Sequence, residues 1–242
     1  MITDIKKFTA TFDRIAHGKS QGSVFTDFLD MVICALSLGA YEEEYLLIVK
    51  KYKREEVDLF CELLAELLIV MDNDGAGLKD ALGEFYQLNL SNKKAGEFFT
   101  PPHVAELMAQ MTMDETTRVK TIIDPCCGSG IMLLGAAKVN RDNYFFGADI
   151  SHTSCKMCAI NLCLNNLVGE VAWMNTLSGE HWGGYTIART QVYPRVPIIR
   201  KLPANEGIIY NSAPFNREGK QGEQPLVQNN MITVTQTKLS FE

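Results

Sequence analysis

Two carboxylates in the middle of the chain suggest its chemistry. Asp124 closes the β-branched run Thr121-Ile122-Ile123 and opens a turn of small residues, Pro125-Cys126-Cys127-Gly128-Ser129-Gly130, that feeds the apolar stretch Ile131-Met132-Leu133-Leu134. Asp149 closes a second run, Asn143-Tyr144-Phe145-Phe146-Gly147-Ala148. It lies roughly twenty residues beyond the glycines, the spacing at which an acid can accept both hydroxyls of a bound ribose. Gly128 and Gly130 let the main chain press against a ligand more closely than a Cβ allows. An acid at such a turn is wrong for a pyrophosphate, which needs positive potential, and right for an ammonium group. The pair therefore points to a nucleoside joined to a zwitterionic amino acid, and S-adenosylmethionine fits. Its methionine part is expected in the turn, against Asp124, Cys126, Gly128, Ser129 and Gly130, with Asp149 and Ile150 at the nucleoside. The plainer alternative is two caps or turns in an ordinary α/β domain.

Placing these acids side by side requires strand, glycine turn, helix and strand, the opening unit of a nucleotide-type α/β fold. The pattern predicts a helix over Ile131–Val139, a strand over Phe145–Asp149, a helix over Ser151–Leu167 and a third strand over Glu170–Met174. The sheet is expected to be mainly parallel, built from Lys120 onward. The chain before it reads as helices: Val24 to Leu36, Glu42 to Tyr52, Glu55 to Met71 and Leu78 to Leu90 carry apolar residues at helical spacing. Asp72–Gly75 lacks the ligand series of a calcium loop and reads as a turn. Gly96–Pro102 reads as a stiff loop before a helix from His103 to Met111, with Thr100 able to cap it and Pro101 in its first turn. His152, Cys155, Cys158 and Cys163 invite a metal reading. A three-residue step turns a helix by about 300°, however, so the first three drift around the axis, and no metal is expected.

The same residues carry a family resemblance. Asp-Pro-Cys-Cys-Gly-Ser-Gly (Asp124–Gly130) resembles the cofactor motif of the N-6 adenine DNA methyltransferases, in particular the modification subunit of type I restriction systems. Asp80-Ala81-Leu82-Gly83-Glu84-Phe85-Tyr86 and Gly96-Glu97-Phe98-Phe99-Thr100-Pro101-Pro102-His103-Val104 are similar to the segment preceding that motif, and Asn175-Thr176-Leu177 resembles the adenine-side turn. The match runs in order from about Asp80 to Leu177 and weakens afterwards. It implies a Rossmann-like S-adenosylmethionine-dependent methyltransferase sheet preceded by an all-helical domain. Residues 1–94 form that helical domain on this reading, and residues 95–242 the cofactor-binding domain, C-terminally shortened. It also implies transfer to the exocyclic amino group of adenine in DNA, within a restriction-modification assembly that includes a specificity or other subunit. It places Phe99 and Thr100 over the amino-acid end of the cofactor, and Asn175 and Thr176 near its adenine.

In that family the fourth strand ends in Asn-Pro-Pro-Tyr/Phe. The first residue and the neighbouring carbonyl accept hydrogen bonds from the target amine, and the aromatic ring stacks on a flipped-out base. Here Gly207-Ile208-Ile209-Tyr210 reads as the apolar strand, followed by Asn211-Ser212-Ala213-Pro214-Phe215. Aligning Pro214 and Phe215 on the motif puts Ser212 at the acceptor position and Ala213 where the family has proline. Beyond Phe215, Met231 to Phe241 offers one or two strands, fewer than the family's target-base pocket needs, and no target-recognition domain is visible.

A formal charge of −6 is unexpected for a chain that grips DNA alone. Either the basic residues are concentrated locally or a partner supplies the contact. Arg189, Arg195, Arg200 and Lys201 lie in Ser178–Pro203, a stretch read as a loop at the mouth of the site that either contacts phosphate or is merely solvated. Seven cysteines without framework spacing, no membrane-length apolar run and no signal-peptide pattern suggest a reducing cytoplasm and no membrane association. Three functions stay open: an adenine methyltransferase acting on DNA, a catalytically inactive cofactor-binding or regulatory relative, and a methyltransferase for RNA or a protein glutamine.

Overall fold

Phenylalanines at helical spacing build the first half of the molecule. A computed structural model describes residues 5–91, 100–113, 119–191, 193 and 195–212, without the side chains of Tyr210 and Ser212. Five helices come first: α1 (Lys6–Ala16), α2 (Gln21–Ala35), α3 (Glu42–Val49), α4 (Arg54–Asp72) and α5 (Ala81–Asn89). Phe8 and Phe12 of α1, Phe25 and Phe28 of α2, and Phe85 of α5 are buried together. The Phe85 ring meets those of Phe8 and Phe12 edge-on at 4.9 and 4.8 Å, the geometry that aromatic quadrupoles favour. Leu63 and Leu67 on one stripe of α4 close this core, and Asn73 ends that helix in a left-handed conformation (φ 51°). No strand occurs among the described residues up to Ser91, in agreement with the helical periodicity.

The second half is an α/β unit. Helix α6 (Pro102–Thr112) leads to β1 (Thr121–Asp124), α7 (Ile131–Val139), β2 (Tyr144–Asp149), α8 (His152–Leu164) and β3 (Val168–Asn175). The three strands are parallel and adjacent, with Ile122 opposite Phe145 and Phe146 opposite Glu170. This βαβαβ arrangement is the Rossmann-like half-sheet that the glycine turn predicts. Helix α6 begins at Pro102 with Pro101 at its cap and no side-chain capping bond. Thr100 therefore does not cap it, contrary to the sequence reading, because the cap position falls on Pro101, one residue further along.

Beyond β3 the structure departs from expectation. Ser178–Pro203 is largely strand: β4 (Glu180–Arg189) and β5 (Pro197–Leu202) run antiparallel to their neighbours, in the order β1-β2-β3-β4-β5. The sheet is therefore mixed rather than mainly parallel. Asn175 turns the chain tightly into β4, its side-chain oxygen accepting from the Leu177 and Ser178 N–H groups at 3.0 and 3.2 Å. Gly183 and Gly184 hide the strand in the sequence, yet a Cβ on Gly184 would lie 3.1 Å from the Ala172 Cα across the ladder, a closeness that requires glycine.

The stretch expected as a fourth strand, from Gly207, forms instead a short helix, α9 (Ile208–Ser212). It lies against β3, with Ile209 packed on Ala148, Ala172 and Met174. The Glu170 carboxylate accepts from the Ile208 and Ile209 N–H groups, both at 2.9 Å, an N-terminal cap supplied by the sheet. Ala213, Pro214, Phe215 and the Met231–Phe241 stretch lie outside the described residues, as do Gly96–Phe99.

Helices and sheet share one continuous apolar core, from Phe8 through α8 to Ile199. Polar contacts fasten the same seam. Lys156 of α8 pairs with Asp30 of α2 at 2.7 Å, and the outer edge of β5 bonds Leu36 and Ser37, with Ile199 N to Leu36 O at 3.0 Å and Ser37 Oγ to Ile199 O at 2.9 Å. That edge is thereby removed from solvent.

Candidate functional site

The turn after β1 is stitched to β2 by its own backbone. Cys127 N donates to Ala148 O at 2.9 Å and Gly130 N to Cys127 O at 2.8 Å. Gly128 N donates to Asp149 Oδ2 at 2.9 Å, and Ser151 N to Asp149 Oδ1 at 2.8 Å. Asp149 thus holds the turn and the entry to α8 and lines the cleft, while each oxygen retains capacity to accept a further bond. Gly130 precedes α7 with φ 95°, and a Cβ there would come within 2.8 Å of the Cys158 sulfur. Both its torsion and its surroundings demand glycine.

Seven of the residues expected at a cofactor line one cleft of about 290 Å³: Thr100, Asp124, Cys126, Gly128, Ser129, Asp149 and Ile150. Among the described residues its lining includes no Lys, Arg or His. Burial raises the Asp124 carboxyl above the ordinary range, the Cys126 N–H bond opposes the shift, and the charge of Asp149 adds to it. The N-terminal ends of α7 and α8 meet the same cleft through Ile131, Ser151 and Ser154. The cleft therefore offers a cation two acids, and offers a ligand carboxylate two helix N-termini.

Other expected residues fall elsewhere. Gly130 shapes the turn without lining the cleft, and Asn175 and Thr176 occupy the β3–β4 turn beside it rather than its wall. Phe99, Pro214 and Phe215 lie outside the described residues, and of Ser212 only the backbone, at the end of α9, is described. The sequence reading missed Tyr86, Met132, Ser151 and Ser154, all of which line the cleft. Ser151 had a signal, since a serine two residues past a strand-terminal acid and just before a helix is a natural cap; its Oγ accepts from Ser154 N at 3.3 Å. Tyr86 had none beyond its place in the segment from Asp80, because only the fold brings α5 to the turn.

The basic residues are not at the mouth of this cleft. Arg189 lies past the amino end of β3, roughly 20 Å along the strand from Asn175, and donates to Asn166 Oδ1 and O at 2.9 and 2.6 Å. Lys201 pairs with Glu44 and Arg200 donates to Ser37 O at 3.3 Å, so both fasten sheet to helices. Among the described residues no group of three or more His, Cys, Asp or Glu is placed to hold a metal ion, and no helix is long and apolar enough to cross a membrane. The seven cysteines are unpaired.

The chain is similar in sequence to known proteins. The chain is 29% identical over 175 residues to the type I restriction enzyme MpnII methylase subunit of Mycoplasma pneumoniae, a match covering 68% of this chain and 30% of that one. It is 30% identical over 101 residues to the MjaVII methylase subunit of Methanocaldococcus jannaschii, covering 38% of this chain and 17% of the relative. The chain thus spans about a third or less of the length of these relatives. A type I restriction-modification methyltransferase subunit of Streptococcus thermophilus aligns in structure with a TM-score of 0.35 and 22% identity, over 66% of this chain and 36% of that one. The family profile described as N-6 DNA Methylase matches residues 78–224, which include the cleft, the glycine turn and both acids, and the chain belongs to that family.

Proposed function

We propose that the chain binds S-adenosylmethionine in the cleft between β1 and β2 and serves methyl transfer to the exocyclic N6 of adenine in DNA, together with the specificity or other subunits of a type I-like restriction-modification system. One observation carries the cofactor reading: two carboxylates at the ends of adjacent strands face a cleft that no cationic side chain among the described residues lines. A nucleotide phosphate would be repelled there, whereas an ammonium, a sulfonium and a ribose diol all gain. In this reading Asp149 accepts from the ribose hydroxyls, Asp124 faces the ammonium, and the α7 N-terminus receives the carboxylate. Ile150, which is 63% exposed, offers the adenine an apolar face. Bound there, the cofactor supplies an activated methyl group.

The choice of acceptor rests on membership of the N-6 DNA methylase family. Ser212 and the adjacent carbonyl accept from the target amine, Pro214 stiffens the turn, and Phe215 stacks on the base. The acidic overall charge and the structural duties of Arg189, Arg200 and Lys201 leave most DNA contact to a partner subunit. The deciding experiment is transfer of labelled methyl groups to unmethylated DNA, with and without a specificity subunit. Transfer by wild type and none by Ser212→Ala, at unchanged cofactor affinity, supports the reading. Cofactor binding without transfer in any combination would leave a binding module and overturn the enzymatic part.

A further inference from the structure

We propose that Asp80 is a positioning residue for the cofactor: from the cap of α5 it locks the glycine turn into the shape that receives the ligand's amino-acid end. The inference rests on the reading of the cleft as an S-adenosylmethionine site. It makes the helical half of the chain, which contributes few cleft residues, a determinant of cofactor affinity.

The geometry is a closed network. Asp80 Oδ1 accepts from Gly83 N at 2.8 Å, which caps α5, and from Asn161 Nδ2 of α8 at 2.7 Å. Asp80 Oδ2 accepts from the Ser129 hydroxyl. Asn161 Nδ2 also donates to Ser129 O at 2.9 Å, so the fully buried Ser129 is held by side chain and main chain together. Its neighbours, Gly128 and Gly130, both have positive φ, 53° and 95°. A Gly-Ser-Gly tripeptide is among the least constrained segments a chain can contain, and the serine hydroxyl is the one side-chain handle by which it can be gripped. Asp80 grips it from 49 residues away in sequence. Gly83 makes the approach possible, because a Cβ there would collide with both the Asp80 carboxylate and the Ser129 hydroxyl. One turn along the same helix, Tyr86 lines the cleft itself.

Preorganising this turn favours binding only for a ligand that uses it. The test is calorimetry on the full chain with two ligands: S-adenosylhomocysteine, which carries the amino-acid end, and 5′-methylthioadenosine, which lacks it. Asp80→Ala is expected to weaken the first about tenfold, the loss of one or two buried hydrogen bonds, and the second by less than about twofold. Ser129→Ala should show the same split, and the double variant should be no weaker than Asp80→Ala alone, because both changes break one bond. If Asp80→Ala does not fold, the split in Ser129→Ala decides. Equal losses for both ligands, or no loss for either, overturn the positioning role and leave Asp80 a fold-stabilising residue. A wild-type protein that binds neither ligand instead overturns the cofactor reading, and this proposal with it.

Discussion

Two clefts among the described residues differ in kind, and the acids converge on the smaller one. The cleft at the ends of β1 and β2 measures about 290 Å³ and joins Asp124, Asp149 and two helix N-termini. The other, about 810 Å³, lies along the middle of the sheet under Tyr144, Phe146, Ala188, Arg189 and Ile208. Among the described residues it is an open sheet face, and its one buried acid, Glu170, is already occupied in capping α9. Volume reflects how much of a sheet is left uncovered. A binding site needs polar groups that converge on one point without being satisfied by each other. Strand ends supply that convergence, because parallel strands deliver their terminal residues side by side and each crossover helix begins there.

The contrast can be broken by substitution. Gly130→Ala should have the largest effect. It places a Cβ against Cys158 in a torsion that disfavours it, and should destabilise the protein by roughly 2–4 kcal/mol in thermal melts. Asp149→Ala removes the acceptor for Gly128 and Ser151 together with the proposed ribose contacts. It should weaken S-adenosylhomocysteine binding by about 1.5–3 kcal/mol, read by calorimetry.

Asp80 adds a pH signature. Burial raises its carboxyl to about 6, against the hydrogen bonds from Ser129, Gly83 and Asn161 that lower it. The unfolded value is about 4, so between these values the folded state binds more protons than the unfolded one. The contribution of Asp80 to stability therefore falls as pH rises through that window. The unfolding free energy of wild type minus that of Asp80→Asn should fall by on the order of 1–3 kcal/mol from pH 4 to pH 7 and then stay level. A flat difference in denaturant titrations would show that this carboxyl does not titrate as described. The smallest effect belongs to the larger cleft, which Arg195 also lines: Arg195→Ala should change cofactor affinity by less than about 0.5 kcal/mol.

What the sequence disclosed follows the same division. The run from Asp124 to Leu164 was legible because its signals are local. A β-branched run, paired glycines and a serine cap each dictate their own backbone, and Ile131–Val139 forms as the periodicity predicts. Helices α2 to α5 were legible for the same reason, since one apolar stripe per helix suffices to place it, whereas α1 was not singled out within the helical half. The segment from Ser178 to Ser212 was not, because its structure is imposed from outside. Strand β4 accepts two glycines where the ladder presses close to β3, β5 is held by Leu36 and Ser37, and α9 takes its cap from Glu170, nearly forty residues earlier. Periodicity in a short apolar run such as Ile208-Ile209-Tyr210 cannot tell strand from helix when the deciding partner is that remote. At the site, both acids and the turn were readable, whereas Tyr86 and Asp80 reach the turn only through the packing of α5.

The central claim is that the acidic cleft selects a zwitterionic nucleoside over a phosphorylated one. Calorimetric titration of the wild-type chain with S-adenosylhomocysteine and, separately, with ATP and NAD tests it most directly. The account predicts one-to-one binding of S-adenosylhomocysteine, lost or strongly weakened in Asp149→Ala, and no measurable binding of either phosphate-bearing ligand. Binding of ATP or NAD that is equally sensitive to Asp149→Ala, with none of S-adenosylhomocysteine, would contradict it.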